Sequence, residues 1–288
     1  QQTKMDLMPH SVECYRRVIE NHVDFPLGKT PLKKLNPLQL ARFESTIEAT
    51  RTRQLVHRVL HKALADAVKW GLLANNPLDS VDCPRYRPRE KTLWTAQQVS
   101  SFVQATQEGK GGHYGDLFLF LLASGCRLGE ALGLRWNDID FKAGTVRIER
   151  QLTEVNGKHA EQSPKTKAGV RQISLPGFGL DALRRQKERA TSVRVFVTEA
   201  GTTPLRSNIR RSFHGVCDRL GLQRIRLHDL RHLHLSLLAT GGVPVRVAQQ
   251  RAGHSSPTIT MAVYQHVLGD GDRLAAETLD RMLKGTAL

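Results

Sequence analysis

Apolar residues recur at helical spacing along most of the chain. In SVECYRRVIENHV, Val12, Tyr15, Val18 and Ile19 share one face, which predicts a helix. Asn36-Pro37 opens a second, PLQLARFESTIEA, as an N-cap followed by proline at the first helical position. RTRQLVHRVLHKALADAVKWGLL predicts a long third helix, with Leu55, Val59, Lys62-Ala63 and Ala67 on the repeating face and a stop at Asn75-Asn76-Pro77. Thr95 is placed to cap AQQVSSFVQAT, and LFLFLLASG and RLGEALGL follow as helices. The period then changes to two. TVRIERQ and VRQISL alternate like strands, and the segment between them, VNGKHAEQSPKTKAG, reads as turn. Beyond it the chain is helical again, with a short VFVT strand, as far as an amphipathic RLAAETLDRML. The expected class is mainly α with a small antiparallel β-sheet (α+β).

Residues 79–91, DSVDCPRYRPREK, have two prolines and little apolar periodicity, and divide the chain. The expected domains are a helical one over 1–85, a basic linker over 86–91 and a mixed one over 92–288. No internal repeat appears. The longest apolar run, Leu117 to Ala123, is seven residues, far short of the roughly 20 that cross a bilayer, so no membrane role is expected. The first residues lack a secretory leader's apolar stretch. Cys14, Cys83, Cys126 and Cys217 form no CxxC pair, which argues against a zinc ribbon or disulfide framework and for a cytoplasmic protein.

Charge narrows the partner. With 43 Lys plus Arg against 27 Asp plus Glu, the formal net charge is +16, split as +5 over residues 1–88 and +11 over the rest. Such an excess suits a phosphate backbone, although a basic protein without such a partner has the same composition. On the third helix Arg51, Arg53, Arg58 and Lys62 read either as a solvated face or as backbone contacts, and Arg85 and Arg87 would lie on the linker strap.

The sharpest local string is His228-Asp229-Leu230-Arg231-His232, where His228 and Arg231 stand at i and i+3 on one helical face. Gly253-His254 follows, with Tyr264 ten residues later. Upstream, SGCRLGE sets Arg127 at a glycine-preceded helix start, where free amides favour an anion, and Pro164-Lys165-Thr166 lies in the turn between the two strands. Two arginines, a lysine, two histidines and a tyrosine suit a phosphodiester.

These residues closely resemble the tyrosine recombinase (phage integrase) family, through SGCRLGE, SPKTKAGVRQISLP, RLHDLRH and AGHSSPTITMAVYQHV and the lengths between them. The resemblance covers about residues 92–284 as the catalytic domain, and residues 5–85 look like the helical core-binding domain that precedes it. Ala252 stands where leucine is frequent and Gly169 where serine is common. The family implies a C-shaped two-domain clamp on double-stranded DNA, and a homo-tetramer on two sites with C-terminal tail exchange. It implies cleavage and rejoining through a 3′-phosphotyrosyl bond, with neither ATP, metal nor other cofactor. Arg127 and Arg231 would clamp the non-bridging oxygens. Tyr264 would attack phosphorus, its phenolate favoured by nearby positive charge. His228 would accept its proton, His254 would donate to a phosphate oxygen, and Lys165, on a mobile hairpin, would protonate the leaving 5′ hydroxyl. Glu130 would orient a neighbour.

A type IB topoisomerase-like relaxing enzyme shares this set, and a non-cleaving DNA-binding regulator would keep the fold; neither explains the sequence as well as a site-specific recombinase of a phage or mobile element. His232, His234 and His266 have no acidic or thiol partner at zinc-ligand spacing. Trp136 reads as core packing.

Overall fold

A computed structural model describes residues 9–86, 92–155, 157–163 and 167–267, together with 276, 277, 279, 280 and 283. The chain divides into two units, Gln1–Lys91 and Thr92–Leu288. In the first, α1 (Pro9–Val18) runs into a π-helical turn, and α2 (Asp24–Leu27), α3 (Pro37–Ser45) and α4 (Thr50–Lys69) follow. Asn36 caps α3, its side-chain oxygen accepting from the Gln39 amide at 2.9 Å with Pro37 at the first helical position. The buried face of α4 differs from the expected one by about one residue. Val56, Val59, Leu60 and Leu64 pack on Val18, Leu40, Phe43 and Leu78, while Leu55 turns partly outward. A 3.6-residue period through Val56, Val59-Leu60 and Leu64 buries more branched apolar surface than one through Leu55 and Ala63. Inside this core Glu44 and His57 satisfy each other at 2.9 Å.

The second unit is built on α5 (Ala96–Ala105), α6 (Gly115–Ser124) and α7 (Leu128–Gly133). Thr95 caps α5 reciprocally with Gln98, a capping box. Five strands follow: β1 (Ile139–Asp140), β2 (Thr145–Ile148), β3 (Gln151–Val155), β4 (Lys158–Gln162) and β5 (Arg171–Ser174). They form an antiparallel sheet β1-β2-β5, with Val146 opposite Ile173, and a separate β3-β4 hairpin. Then come α8 (Gly177–Glu188), α9 (Arg206–Arg219), α10 (Asp229–Thr240), α11 (Val245–Ala252) and α12 (Pro257–Val267). No described helix is long and apolar enough to cross a membrane.

Two strand expectations are corrected. The segment read as turn contains β4, which pairs Lys158 with Val155 and Gln162 with Gln151. Lys165, expected in that turn, follows β4 in the chain and lies outside the described residues. VFVT makes no strand. Val195 donates to the Leu134 carbonyl, but the pairing stops because a 3-10 turn, Trp136–Asp138, begins at once on the other side.

The core of this unit joins α5, α6, α9 and the sheet around Trp94, Phe102, Phe118 and Phe213. The Phe213 ring lies 5.2 Å from that of Phe118 and 6.0 Å from that of Trp94. Trp136 packs against this core, donating Nε1–H to the Ser192 carbonyl, with the Lys187 ammonium over its ring. Phe213→Ala should cost about 3–5 kcal/mol, measurable as a lower midpoint in urea; a change below about 1 kcal/mol would contradict this packing.

Candidate active site

The site begins at the end of one helix. α6 is buried on every side, so the carbonyls of its last turn cannot turn to water. Gly125, at φ +66°, ends the helix and its amide takes the Leu121 carbonyl. The remaining acceptors draw in cationic or imidazole donors from distant segments, as a helix C-terminus favours. His234 Nδ1 donates to the Leu122 carbonyl at 2.8 Å, Arg251 Nη2 to that of Ala123 at 3.1 Å, and Arg231 Nη1 to that of Gly125 at 2.6 Å.

Arg127 stands just beyond, at the N-cap of α7. Its Nη1 pairs with Glu130 Oε1 at 2.9 Å and its Nη2 donates to the Gly253 carbonyl at 3.2 Å. The expected open amide here is taken: the Arg127 N–H is bound by Glu130 Oε2. Arg171 pairs with the same carboxylate at 2.8 Å and donates Nε–H to the Arg251 carbonyl. Burial pushes the Glu130 carboxyl up, but the hydrogen bonds and charge of Arg171, with those of Arg127, outweigh it and hold the group ionised. Gly253 has φ +66°, and a side chain there would meet Arg171 Nη1 at 2.8 Å. The segment carrying His254 thus lies directly on this pair.

Arg231 is 3% exposed, and its Nη2 has no hydrogen-bond partner among the described residues. Burial, then the charge of Arg127, pushes this guanidinium down to about 10. His254 is buried, with Nδ1 on the Thr260 hydroxyl at 2.8 Å. Burial and then the nearby charges of Arg231, Arg127, His232 and His228 push it down to about 4. His228, at the N-cap of α10, opens to solvent on one side and meets the His232 ring edge-on at 5.4 Å. The protein around its other side, then His232 and Arg231, lower its pKa too.

The structure brings together Arg127, His228, Arg231 and His254. It does not bring Tyr264 to them. The ring is 4% exposed, packed with Leu235, Ala239, Ala248 and Ala252, and its hydroxyl donates to the Val243 carbonyl at 2.9 Å. Burial alone pushes the phenol up, so the expected acidification by cations is absent in this arrangement. Among the described residues no group of three His, Cys, Asp or Glu is placed to hold a metal. The sequence did not single out Arg171, Arg251 or His234 for this site, although VRQISL and the run of histidines hold two of them.

In the first unit, Arg51, Arg58 and Lys62 are exposed at helical spacing on α4. Arg51 lies over the Tyr86 ring at 5.8 Å, and Lys62 pairs with Asp66. Arg53 is drawn inward to the Ile47 carbonyl. Arg58 and Arg85 are exposed with no ion-pair partner among the described residues, and Arg87 lies outside them.

Buried neutral histidines leave a trace in stability. His234 titrates near 6.5 when unfolded and only near about 4 when folded, mainly through burial. Above pH about 6.5 it is neutral in both states. As pH falls from there to about 4, only the unfolded chain gains the proton, so stability drops across that window and levels below it. Thermal unfolding from neutral to acid pH should therefore decline more gently in His234→Gln than in wild type; parallel curves would contradict the buried neutral imidazole.

The fold and the gathered cations define a class. Residues 93–269 match the phage integrase family model, and the chain belongs to that family, the tyrosine recombinases. It is 29% identical to a tyrosine recombinase XerC-like protein of Caldanaerobacter subterraneus, over 92% of this chain and 75% of that protein. It is 25% identical to the ICEBs1 integrase of Bacillus subtilis, over 97% and 80% respectively. Among solved structures, the Tn1549 transposon integrase in complex with a circular intermediate DNA has the same fold, with a TM-score of 0.83 at 20% identity over 96% of each chain. A lambda integrase dimer bound to a core site superposes with 0.71 at 17% identity over 91% of each.

Proposed function

We propose that this chain is a site-specific recombinase that exchanges DNA strands through a phosphotyrosyl intermediate, with residues 92–288 as its catalytic domain and 1–85 as a second DNA-binding unit. One observation carries the reading: a buried arginine, Arg231, held on the Gly125 carbonyl two residues before Arg127, keeps an N–H with no partner among the described residues. Uncompensated buried charge is costly, and a phosphate diester would satisfy it. Arg127 and Arg231 would grip the non-bridging oxygens and stabilise the charge that builds in the transition state. His254, neutral and fixed by Thr260, would hydrogen-bond a phosphate oxygen, and His228 would take the tyrosine proton. Lys165 would protonate the leaving 5′ hydroxyl.

Tyr264 must leave the Val243 carbonyl before it can attack, so DNA engagement would shift α12 and carry the phenol into the cationic cluster. There the same hydroxyl, now beside two guanidinia, ionises more readily. The 3′-phosphotyrosyl bond keeps the diester's energy, and a 5′ hydroxyl from a second duplex reseals it. A lambda integrase tetramer has been solved on a Holliday junction. We extend that assembly to this chain, acting in the cytoplasm on two DNA sites, with the exposed Leu279 and Leu283 of the tail docking on a neighbour.

A library of nicked duplexes with a randomised core tests the reading. Protein-linked strands recovered under denaturing conditions should converge on one sequence; no linked strand at all would overturn it. On the recovered site, binding should weaken steeply with salt. Arg58→Gln should reduce the log–log slope by about 1, and an unchanged slope would remove Arg58 from the backbone contacts.

A further inference from the structure

Two groups, the buried His234 and the half-buried Arg251, have no part in the chemistry just described, yet they tie the site together. Arg251 donates Nη2–H to the Ala123 and Ser174 carbonyls, at 3.1 and 2.8 Å, and Nε–H to His234 Nε2 at 3.1 Å. One guanidinium thereby joins the ends of α6 and β5 to α10 and α11. The imidazole is set for this by its other nitrogen, because Nδ1–H is held on the Leu122 carbonyl and Nε2 is left as an acceptor. Gly125 makes room for it: a side chain there would stand 2.5 Å from the His234 ring.

The choice of acceptor is informative. Elsewhere in the same unit, Arg185 and Arg189 share the Asp116 carboxylate, which cancels one of their two charges. Arg251 is held by two carbonyls and a neutral ring, so its full positive charge remains near that of Arg171. A purely structural arginine is anchored more cheaply by a carboxylate. An arginine anchored by neutral acceptors is fixed in place while still adding to the field on a bound anion.

The ties lead to the groups that grip phosphate. His234 lies three residues after Arg231 on α10 and touches the backbone at Gly125, whose carbonyl holds Arg231. Arg251 precedes Gly253, whose carbonyl holds Arg127, and His254; its own carbonyl holds Arg171. We propose that His234 and Arg251 are a positioning couple, which fixes Arg127, Arg231 and His254 relative to one another through the end of α6 without neutralising the cluster. This rests on the recombinase reading above.

Side-chain isosteres separate positioning from bulk stability. The amide nitrogen of Asn overlays Nδ1 and keeps the donor to Leu122, but offers Arg251 no acceptor. The amide oxygen of Gln overlays Nε2 and keeps that acceptor. His234→Asn, His234→Gln, Arg251→Lys and wild type are compared on the duplex recovered from the library, reading single-turnover covalent cleavage at saturating DNA, DNA affinity and circular dichroism. We expect His234→Asn and Arg251→Lys to cleave on the order of a hundredfold more slowly, at unchanged affinity and with folded spectra. His234→Gln should recover most of the loss. Wild-type rates in His234→Asn or Arg251→Lys, or equal losses in the two His234 variants, would overturn the couple. Should His234→Asn not fold, the partly exposed Arg251→Lys decides by the same rate criterion. A wild-type chain that links to no duplex would instead sink the recombinase reading, and this inference with it.

Discussion

Tyr264→Phe should bind its DNA site with wild-type affinity and form no covalent adduct. The substitution removes one oxygen, and in this arrangement that oxygen makes one hydrogen bond, to the Val243 carbonyl. The ring keeps its packing with Leu235, Ala239, Ala248 and Ala252, so the fold changes by about 1 kcal/mol at most. Cleavage should fall below detection, because no other group would supply the attacking oxygen. Releasing the phenol from Val243 also becomes easier in the variant, and DNA affinity should not decrease. An adduct formed by Tyr264→Phe at the wild-type rate would assign the nucleophile elsewhere; loss of DNA binding would mean that the substitution had damaged more than the hydroxyl.

The second large effect has opposite signs in two assays. Arg231→Met should abolish cleavage, losing at least about 3–4 kcal/mol of transition-state stabilisation, while making the DNA-free protein more stable. The guanidinium is 3% exposed, one of its nitrogens has no partner among the described residues, and burial and Arg127 push its pKa down to about 10. Folding therefore bears the desolvation of a charge that the Gly125 carbonyl and Glu130 repay in part and a bound anion would repay further. Methionine fills similar space without that charge. It leaves the Gly125 carbonyl without its donor, which takes back about 1 kcal/mol. The net gain should be about 1–2 kcal/mol in urea unfolding. A destabilised variant would show that Arg231 is adequately satisfied by the protein, and an active one would remove it from the phosphate clamp.

Much of the architecture was readable from periodicity and caps. Asn36-Pro37 and Thr95 stand where the expected helices begin, and the division falls where prolines and charge interrupt the apolar pattern. The misreadings have physical causes. On α4, Val56 and Leu55 fit a helical stripe almost equally, and only packing against Leu40 and Phe43 selects between them. The β3-β4 hairpin carries few apolar residues, so alternation was weak, although Asn156-Gly157 was a turn signal and Gly157 has φ +72°.

The candidate site was legible in residue type but not in arrangement. His228 and Arg231 are local partners, so spacing alone placed them on one face. Arg171, Arg251 and His234 act through the buried carbonyls at the end of α6 or through Glu130. Those acceptors are backbone atoms or shared carboxylates, and no pattern of side chains announces them. Nor does spacing reveal that the Tyr264 hydroxyl turns to Val243, since ten residues after His254 allow α12 more than one seat.

The most direct test is the chemical identity of the linked residue. After cleavage of the selected duplex, nuclease and trypsin digestion should leave a nucleotide on the peptide spanning residues 252–273, in which Tyr264 is the sole tyrosine. Fragmentation in the mass spectrometer should place the added phosphate on that side chain. A nucleotide on any other residue, or none on this peptide while cleavage proceeds, would contradict strand exchange through Tyr264.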